Sequence, residues 1–437
     1  MRRSVLLLPV LLGAAAAGPT PALALPLLPH QTALDLDAAA TAWILTSTAL
    51  VLLMTLPGLA LFYGGMVRRK NLIATIAHAA AAMVVVTVLW FVAGYSLAFG
   101  AGPGPVNSVV GGLQSAFLDG VGPATAHALA PGLPEFLWIA YQLTFAIITP
   151  ALIAGAFAER IRFPAALLFF TLWHLVVYAP ICHQVWGGGW MGSLGVLDFA
   201  GGAVVHVNAG VAGLVACLVL GPRHGFGRDN MAPHNLALTA IGTGLLLVGW
   251  LGFNAGSAWA ADGIAALAAF NTLLAAAAGA LGWLAVEWIA RRRPTLLGLL
   301  SGLVAGLVGV TPAAGLVDPK GACLIGLLCG PACYAGVTWL KRSLKYDDSL
   351  DAFGVHGVGG IVGAILTGVL ASEAVNPAAA GADVLKQVIG LVAVMAWSAV
   401  GTFLILMVCR FTTGLRVTRE EEIEGLDYTQ HGETVHP

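Results

Sequence analysis

The chain has 437 residues but only 20 Lys+Arg and 21 Asp+Glu, and 59% of it is hydrophobic. Soluble domains carry about 25% charged residues; at 9% this chain cannot cover a soluble globule of its size with polar surface. That excludes a cytosolic enzyme and a disordered chain, and a net charge of −1 supplies no basic field for nucleic acid. The composition is that of an all-α polytopic membrane protein. Cys182, Cys217, Cys323, Cys329, Cys333 and Cys409 lie in apolar stretches without zinc or redox spacing and read as small buried hydrophobes. No cofactor or metal is expected.

Residues 1–24 start with Arg2 and Arg3, run on through apolar residues and end Pro21-Ala22-Leu23-Ala24. This pattern reads as a cleaved secretory signal peptide, too short for a spanning helix and interrupted by proline. Crossing ~30 Å of hydrocarbon takes ~20 apolar residues. Eleven segments qualify: 40–63, 71–98, 134–158, 163–182, 198–220, 235–257, 262–290, 295–313, 318–340, 351–371 and 384–410. Beyond the signal, 16 of 18 Lys+Arg follow odd-numbered spans, and only Lys320 and Lys386 fall on the other side. The positive-inside rule then places the N-terminus outside and the C-terminus in the cytoplasm. A Gly/Pro/Ala-rich connection, 99–133, lies outside, and small residues such as Ser301–Gly309 form helix-packing faces. A transmembrane domain over 40–410 and a cytoplasmic tail over 411–437 follow.

Ionisable residues inside spans are expensive in lipid and point to function. The candidates are His78, His174, His206, His356, Asp198, Asp348, Asp351 and Glu287. Two segments echo each other. In Asp198-Phe-Ala-Gly-Gly-Ala-Val-Val-His206 and Asp348-Ser-Leu-Asp-Ala-Phe-Gly-Val-His356, an Asp precedes a His by eight residues. The first starts span 5 from outside and the second starts span 10 from inside. Spans 1–5 and 6–10 are therefore expected to be inverted halves, with span 11 extra. Eight helical residues rise about 12 Å, so the two imidazoles meet near the midplane. The alternative for a lone intramembrane His is simple packing, and it stays open for His78 and His174. Two histidines are too few for a zinc site.

Asp198-Phe-Ala-Gly-Gly, Val205-His206-Val-Asn208, Ala158-Glu159-Arg160-Ile161-Arg162-Phe163, Gly252-Phe253-Asn254-Ala255-Gly256-Ser257 and Phe353-Gly-Val-His356-Gly resemble the Amt/Mep/Rh ammonium transporter family, above all its bacterial AmtB-type members. The resemblance runs from about residue 40 to the tail. It implies an Amt-type channel fold of eleven helices, assembled as a homotrimer with one pore per subunit. It also implies an outer ammonium site at Trp186, Phe145, Ser257 and Tyr141. A gate of stacked rings, Phe145 and Phe253, lies below it, and a pore lined by His206, His356 and Trp250 follows. Phenylalanine is usual in bacterial relatives where this chain has Tyr141. Asp198 either caps span 5 or stabilises the cation electrostatically, with the structural role favoured; Asp348 and Asp351 are expected to cap span 10.

The resemblance implies a function that the chemistry supports. Aromatic faces attract a cation, and Ser257 can accept an N–H that K⁺ does not have. Desolvation favours loss of the ammonium proton, so ammonia proceeds through an apolar twin-histidine pore with net ammonium uptake across a bacterial inner membrane. The resemblance further implies that the acidic tail and cytoplasmic loops dock a PII signalling protein; the plain alternative is a solvated tail. Rival functions are a neutral ammonia or CO₂ gas channel of the Rh kind and an ammonium sensor. An intramembrane hydrolase lacks a nucleophile–base pair, and no enzymatic activity is expected.

Overall fold

Polar residues at the membrane boundaries start the helices. Asp37, Asn235, Asp262, Thr295, Asp318 and Asp383 each accept a backbone N–H from the first turn that follows, satisfying donors a helix start leaves open. The computed structural model describes residues 30–32 and 36–435; the predicted signal segment 1–24 lies outside them. Among the described residues, ten helices are long and apolar enough to cross a membrane: Ala38–Met66, Arg69–Phe99, Glu135–Phe157, Phe163–Leu194, Gly202–Leu220, Leu236–Gly256, Gly263–Arg291, Pro319–Leu344, Phe353–Leu370 and Val384–Thr412. They correspond to predicted spans 1–7 and 9–11. The 99–133 connection is partly ordered by short 3₁₀ turns and by a strand, β2 (Thr125–His127), paired antiparallel with β1 (His30–Thr32).

Span 8 differs from the expectation. Its helix is only Leu296–Val310, 15 residues, which rise about 22 Å, less than the ~30 Å core. The chain then unwinds through Pro312. Protein groups satisfy the freed carbonyls: Asn271 Nδ2 donates to Ala314 O and Val317 O at 2.9 Å, and Asn376 Nδ2 donates to Gly315 O at 2.9 Å. Irregular backbone at membrane depth is tolerated where protein buries it in this way. The predicted packing face on this helix is real. A Cβ on Gly279 of span 7 would lie 2.6 Å from Gly306 Cα.

The inverted echo has a structural counterpart. The unwound end of span 8 packs on the start of span 5, where Phe199 N–H donates to Pro312 O at 3.2 Å. The end of span 3 packs on the start of span 10 in the same sense, where Leu350 N–H donates to Gly155 O at 3.1 Å. Each contact joins the third span of one half to the fifth span of the other half.

At the basic end of the bundle the loops are tied by buried ions. Glu159 pairs with Arg68 at 2.7 Å and Arg223 at 3.4 Å, and Arg223 pairs with Asp347 at 2.8 Å. Burial raises the Asp347 carboxyl, but the hydrogen bonds and charge of Arg223, with Arg160, outweigh it and hold it below its ordinary value. Arg160 is fully buried and donates to Ala156 O, Ala158 O, Asp347 O and Ser349 Oγ. Removing one member strands the other charges. Arg223→Ala is expected to destabilise by about 3–5 kcal/mol, seen as a lower melting temperature in detergent. The exposed Lys320→Ala should stay within about 0.5 kcal/mol of the parent.

The tail is not simply solvated. Arg162 N–H donates to Leu415 O and Val417 N–H donates to Arg160 O, both at 3.1 Å. Buried Asp427 accepts the Ala74 N–H at 2.9 Å near the start of span 2, and Lys70 Nζ donates to the carbonyls of Glu422 and Ile423. A capping box at Thr418 and Glu421 starts the short helix Arg419–Glu424.

Candidate functional site

The two echoing motifs fold alike. Asp198 Oδ1 accepts from Gly201 N and Gly202 N, and Oδ2 from Ala203 N and Val204 N, at 2.6–3.0 Å. Gly201 makes the turn at φ 108°, a conformation that favours glycine. A Cβ there would also lie 3.3 Å from the Trp186 ring. Asp348 accepts from Ala352 N at 3.1 Å and Phe353 N at 2.8 Å. Each His then lies in a wide π turn, Gly202–Val207 or Phe353–Gly357; such turns occur often at functional sites.

Spans 5 and 10 touch through glycine beside these turns. A Cβ on Gly210 would lie 2.3 Å from Gly357 N, so no larger residue fits there without backbone movement. This close approach brings His206 Nδ1 within 3.3 Å of His356 Nδ1, with ring planes 22° apart. One Nδ1 donates to the other, so the two rings carry opposite tautomers. The pair then presents one Nε2 as donor and the other as acceptor. His206 Nε2 is buried with no hydrogen-bond partner among the described residues. Trp250 lies along the His206 ring at 5.3 Å, held by its Nε1–H donating to Thr311 Oγ1 at 2.9 Å.

From the histidines a column of rings leads to the 99–133 end of the bundle. His206 meets Phe253 at 5.9 Å, and Phe253 stacks on Phe145 at 4.2 Å and 28°. Phe145 meets Tyr141 at 5.0 Å and, edge-on, Trp186 at 5.9 Å. Beyond Phe145 is a cavity of about 210 Å³ whose lining includes Tyr141, Phe145, Trp186, Asp198, Ser257 and Trp259. Trp186 is oriented by its Nε1–H donating to Asp198 O at 2.8 Å, so the Asp198 turn sets both span 5 and the cage wall. Ser257 Oγ donates to Phe253 O at 2.8 Å, leaving its lone pairs to accept.

The structure brings Tyr141, Phe145, Trp186, Ser257, Phe253, Trp250, His206 and His356 into this one column and leaves other candidates outside it. His78 packs between Phe157 and Phe163, His174 between Trp90 and Tyr178, and Glu287 accepts from Thr295. Asp351 does not cap span 10 as expected. Its own backbone is at φ 59°, and its carboxylate accepts from Lys341 Nζ at 2.8 Å while Asp348 makes the cap. The Tyr141 hydroxyl lies 2.8 Å from Gly252 O and 2.9 Å from Phe253 O, so it ties span 3 to span 6. Tyr141→Phe should cost about 1 kcal/mol of stability, read from a lower melting temperature in detergent.

Sequence reasoning passed over Trp259, Trp138, Gln142, Phe199 and Leu129, which also line the cavity. Trp259 follows the Gly252–Ser257 motif by two residues, and that proximity was the available signal. Trp138 sits one helical turn before Gln142 and Tyr141 on span 3.

A membrane-spanning bundle with an aromatic vestibule, a stacked-ring closure and a buried histidine pair defines a transporter or channel. The family model described as Ammonium Transporter Family matches residues 42–436. The ammonium transporter of Bacillus subtilis is 49% identical over 400 residues, covering 88% of this chain and 95% of that protein. The crystal structure of Saccharomyces cerevisiae Mep2 superposes with a TM-score of 0.81 at 36% identity, covering 89% of each chain. A solved structure described as "Sensor Amt Protein" superposes at 0.82 with 27% identity, covering 90% of this chain and 98% of that one. The chain belongs to the ammonium transporter family; it is a multi-pass membrane transporter, not an enzyme.

Proposed function

We propose that this chain captures ammonium in the aromatic vestibule, removes a proton there, and passes ammonia between Phe145 and Phe253 to the histidine pair, with net ammonium uptake. The continuous ring column carries this reading. An ion in so apolar a path meets a large desolvation cost. Ammonium lowers that cost by releasing a proton, and K⁺ cannot. His206 Nε2 and His356 Nε2 supply one donor and one acceptor, which suits ammonia, itself both. The released proton moves separately along the histidines.

By the positive-inside rule the vestibule is the outer end, and the basic end with the tail is cytoplasmic, in a bacterial inner membrane. By family resemblance the chain works as a homotrimer, one pore per subunit. The docked tail and neighbouring loops form the surface for a PII protein. Deleting 411–437 should abolish PII binding, and binding that survived deletion plus charge reversal of the cytoplasmic loops would remove the tail and loops as its docking surface.

His206→Ala tests the pore. The reading expects altered ammonium transport, and an unchanged current would remove the histidines from the mechanism. The neutral gas channel predicts internal alkalinisation without current. The sensor reading, favoured only by the likeness to the structure described as "Sensor Amt Protein", predicts binding without either signal.

A further inference from the structure

At the basic end of the bundle, away from the ring column, the docked tail and the connection after span 5 bound a cavity of about 500 Å³. Its lining is His224, Arg228, Arg416, Arg419 and Glu422. That volume lies within the ~300–1,000 Å³ of small-molecule sites. Three arginines against one carboxylate leave the wall with an excess of positive charge.

The one carboxylate is already engaged. Glu422 is buried; its Oε1 accepts the His224 N–H at 2.5 Å, and its Oε2 pairs with Arg416 Nη2 at 2.8 Å. Arg416 also donates to Leu220 O at 2.8 Å and Pro222 O at 2.7 Å, which fixes its guanidinium. Arg419 donates through Nε–H to His224 Nε2 at 3.3 Å. As the acceptor, that imidazole carries its own proton on Nδ1 and has a donor left. Both Arg419 Nη groups and the whole exposed Arg228 guanidinium have no partner among the described residues. Like charges gathered around one cavity repel each other, and an anion between them relieves the repulsion and accepts the open N–H groups. Guanidinium forks match phosphate oxygens two at a time. Two open forks on separate segments call for more than one phosphate group. No aromatic ring except His224 lines the wall, so nothing there stacks a base, and charge does the recognising.

We propose that this cavity binds a soluble polyphosphate anion, either pyrophosphate or the phosphate end of a nucleoside di- or triphosphate. Arg416 and Arg419 belong to the tail, His224 and Arg228 to the connection after span 5. The bound anion therefore staples the tail to that connection. The site is separate from the ring column and stands whether or not the chain moves ammonium.

The test is calorimetric titration of inorganic pyrophosphate into the purified full chain in uncharged detergent, paired with amide hydrogen exchange across 415–427. The expected result is saturable binding of one ion per chain, competed by ATP, with slower exchange in the tail. Arg228→Gln and Arg419→Gln should each weaken binding about tenfold. The Arg228 side chain holds nothing else, so its replacement leaves the fold intact. Arg293→Gln removes an exposed cation from another connection at the same end and should change binding less than twofold. No saturable binding overturns the proposal. So does an Arg293→Gln loss as large as that of Arg228→Gln, which would mean a general basic surface. Binding seen only with vesicles containing phosphatidic acid would assign the cavity to the bilayer and overturn the soluble ligand. Pyrophosphate binding with unchanged exchange across 415–427 overturns the staple.

Discussion

His206→Asp combined with His356→Glu is expected to conduct K⁺, to within about tenfold of its ammonium current, where the parent chain conducts none. The two imidazoles meet Nδ1 to Nδ1 at 3.3 Å, with Trp250 and Phe253 packed against the His206 ring. As neutral groups they offer ammonia a donor and an acceptor but give a whole cation no compensating charge. The idealised cost of moving an ion into such a medium is of order 20 kcal/mol, and several kcal/mol remain after relaxation. Two carboxylates at the same place attract any cation and admit water. Selectivity would then be lost because it never rested on size. Proteoliposome current under a K⁺ gradient reads the outcome. A double variant that folds, carries ammonium and still excludes K⁺ would place the filter elsewhere, in the vestibule or the phenylalanine stack.

Asp198→Ala is expected to reduce ammonium current at least a hundredfold. Its two carboxylate oxygens accept four backbone N–H groups at the start of span 5. Each buried donor left without an acceptor costs about 1–3 kcal/mol, enough together to unravel the turn that carries His206. The carbonyl of Asp198 also holds the Trp186 indole. Asparagine is a poor substitute, because its NH₂ would face the N–H donors of either Gly201 and Gly202 or Ala203 and Val204. Asp198→Asn should therefore lose most of the current and melt earlier. A variant with unaltered melting but weakened ammonium affinity would instead assign Asp198 an electrostatic role.

Much of this architecture is written in periodic features. Lys and Arg clusters after odd-numbered spans set the order of crossings, and the spacing Asp198…His206 and Asp348…His356 marks the two residues that meet. Such features are readable because one cause, desolvation in lipid, places them. The parts that escaped depend on contacts distant in sequence. Span 8 ends early because Asn271 and Asn376, from other segments, satisfy its unwound backbone. Asp351 pairs with Lys341 across a turn rather than capping. The acidic tail looks solvated by composition, yet Asp427 is buried on span 2. Trp259 carries no motif; a positive φ and a stack on Trp138 place it, and neither is visible in a string of residues.

The central claim is that ammonium charge crosses and K⁺ does not. It is tested most directly by charge movement in proteoliposomes after an ammonium pulse, with an equal K⁺ pulse as control. The account predicts a saturable current for ammonium and none for K⁺. Internal alkalinisation with no current would contradict it, because ammonia would then pass while its proton stayed behind.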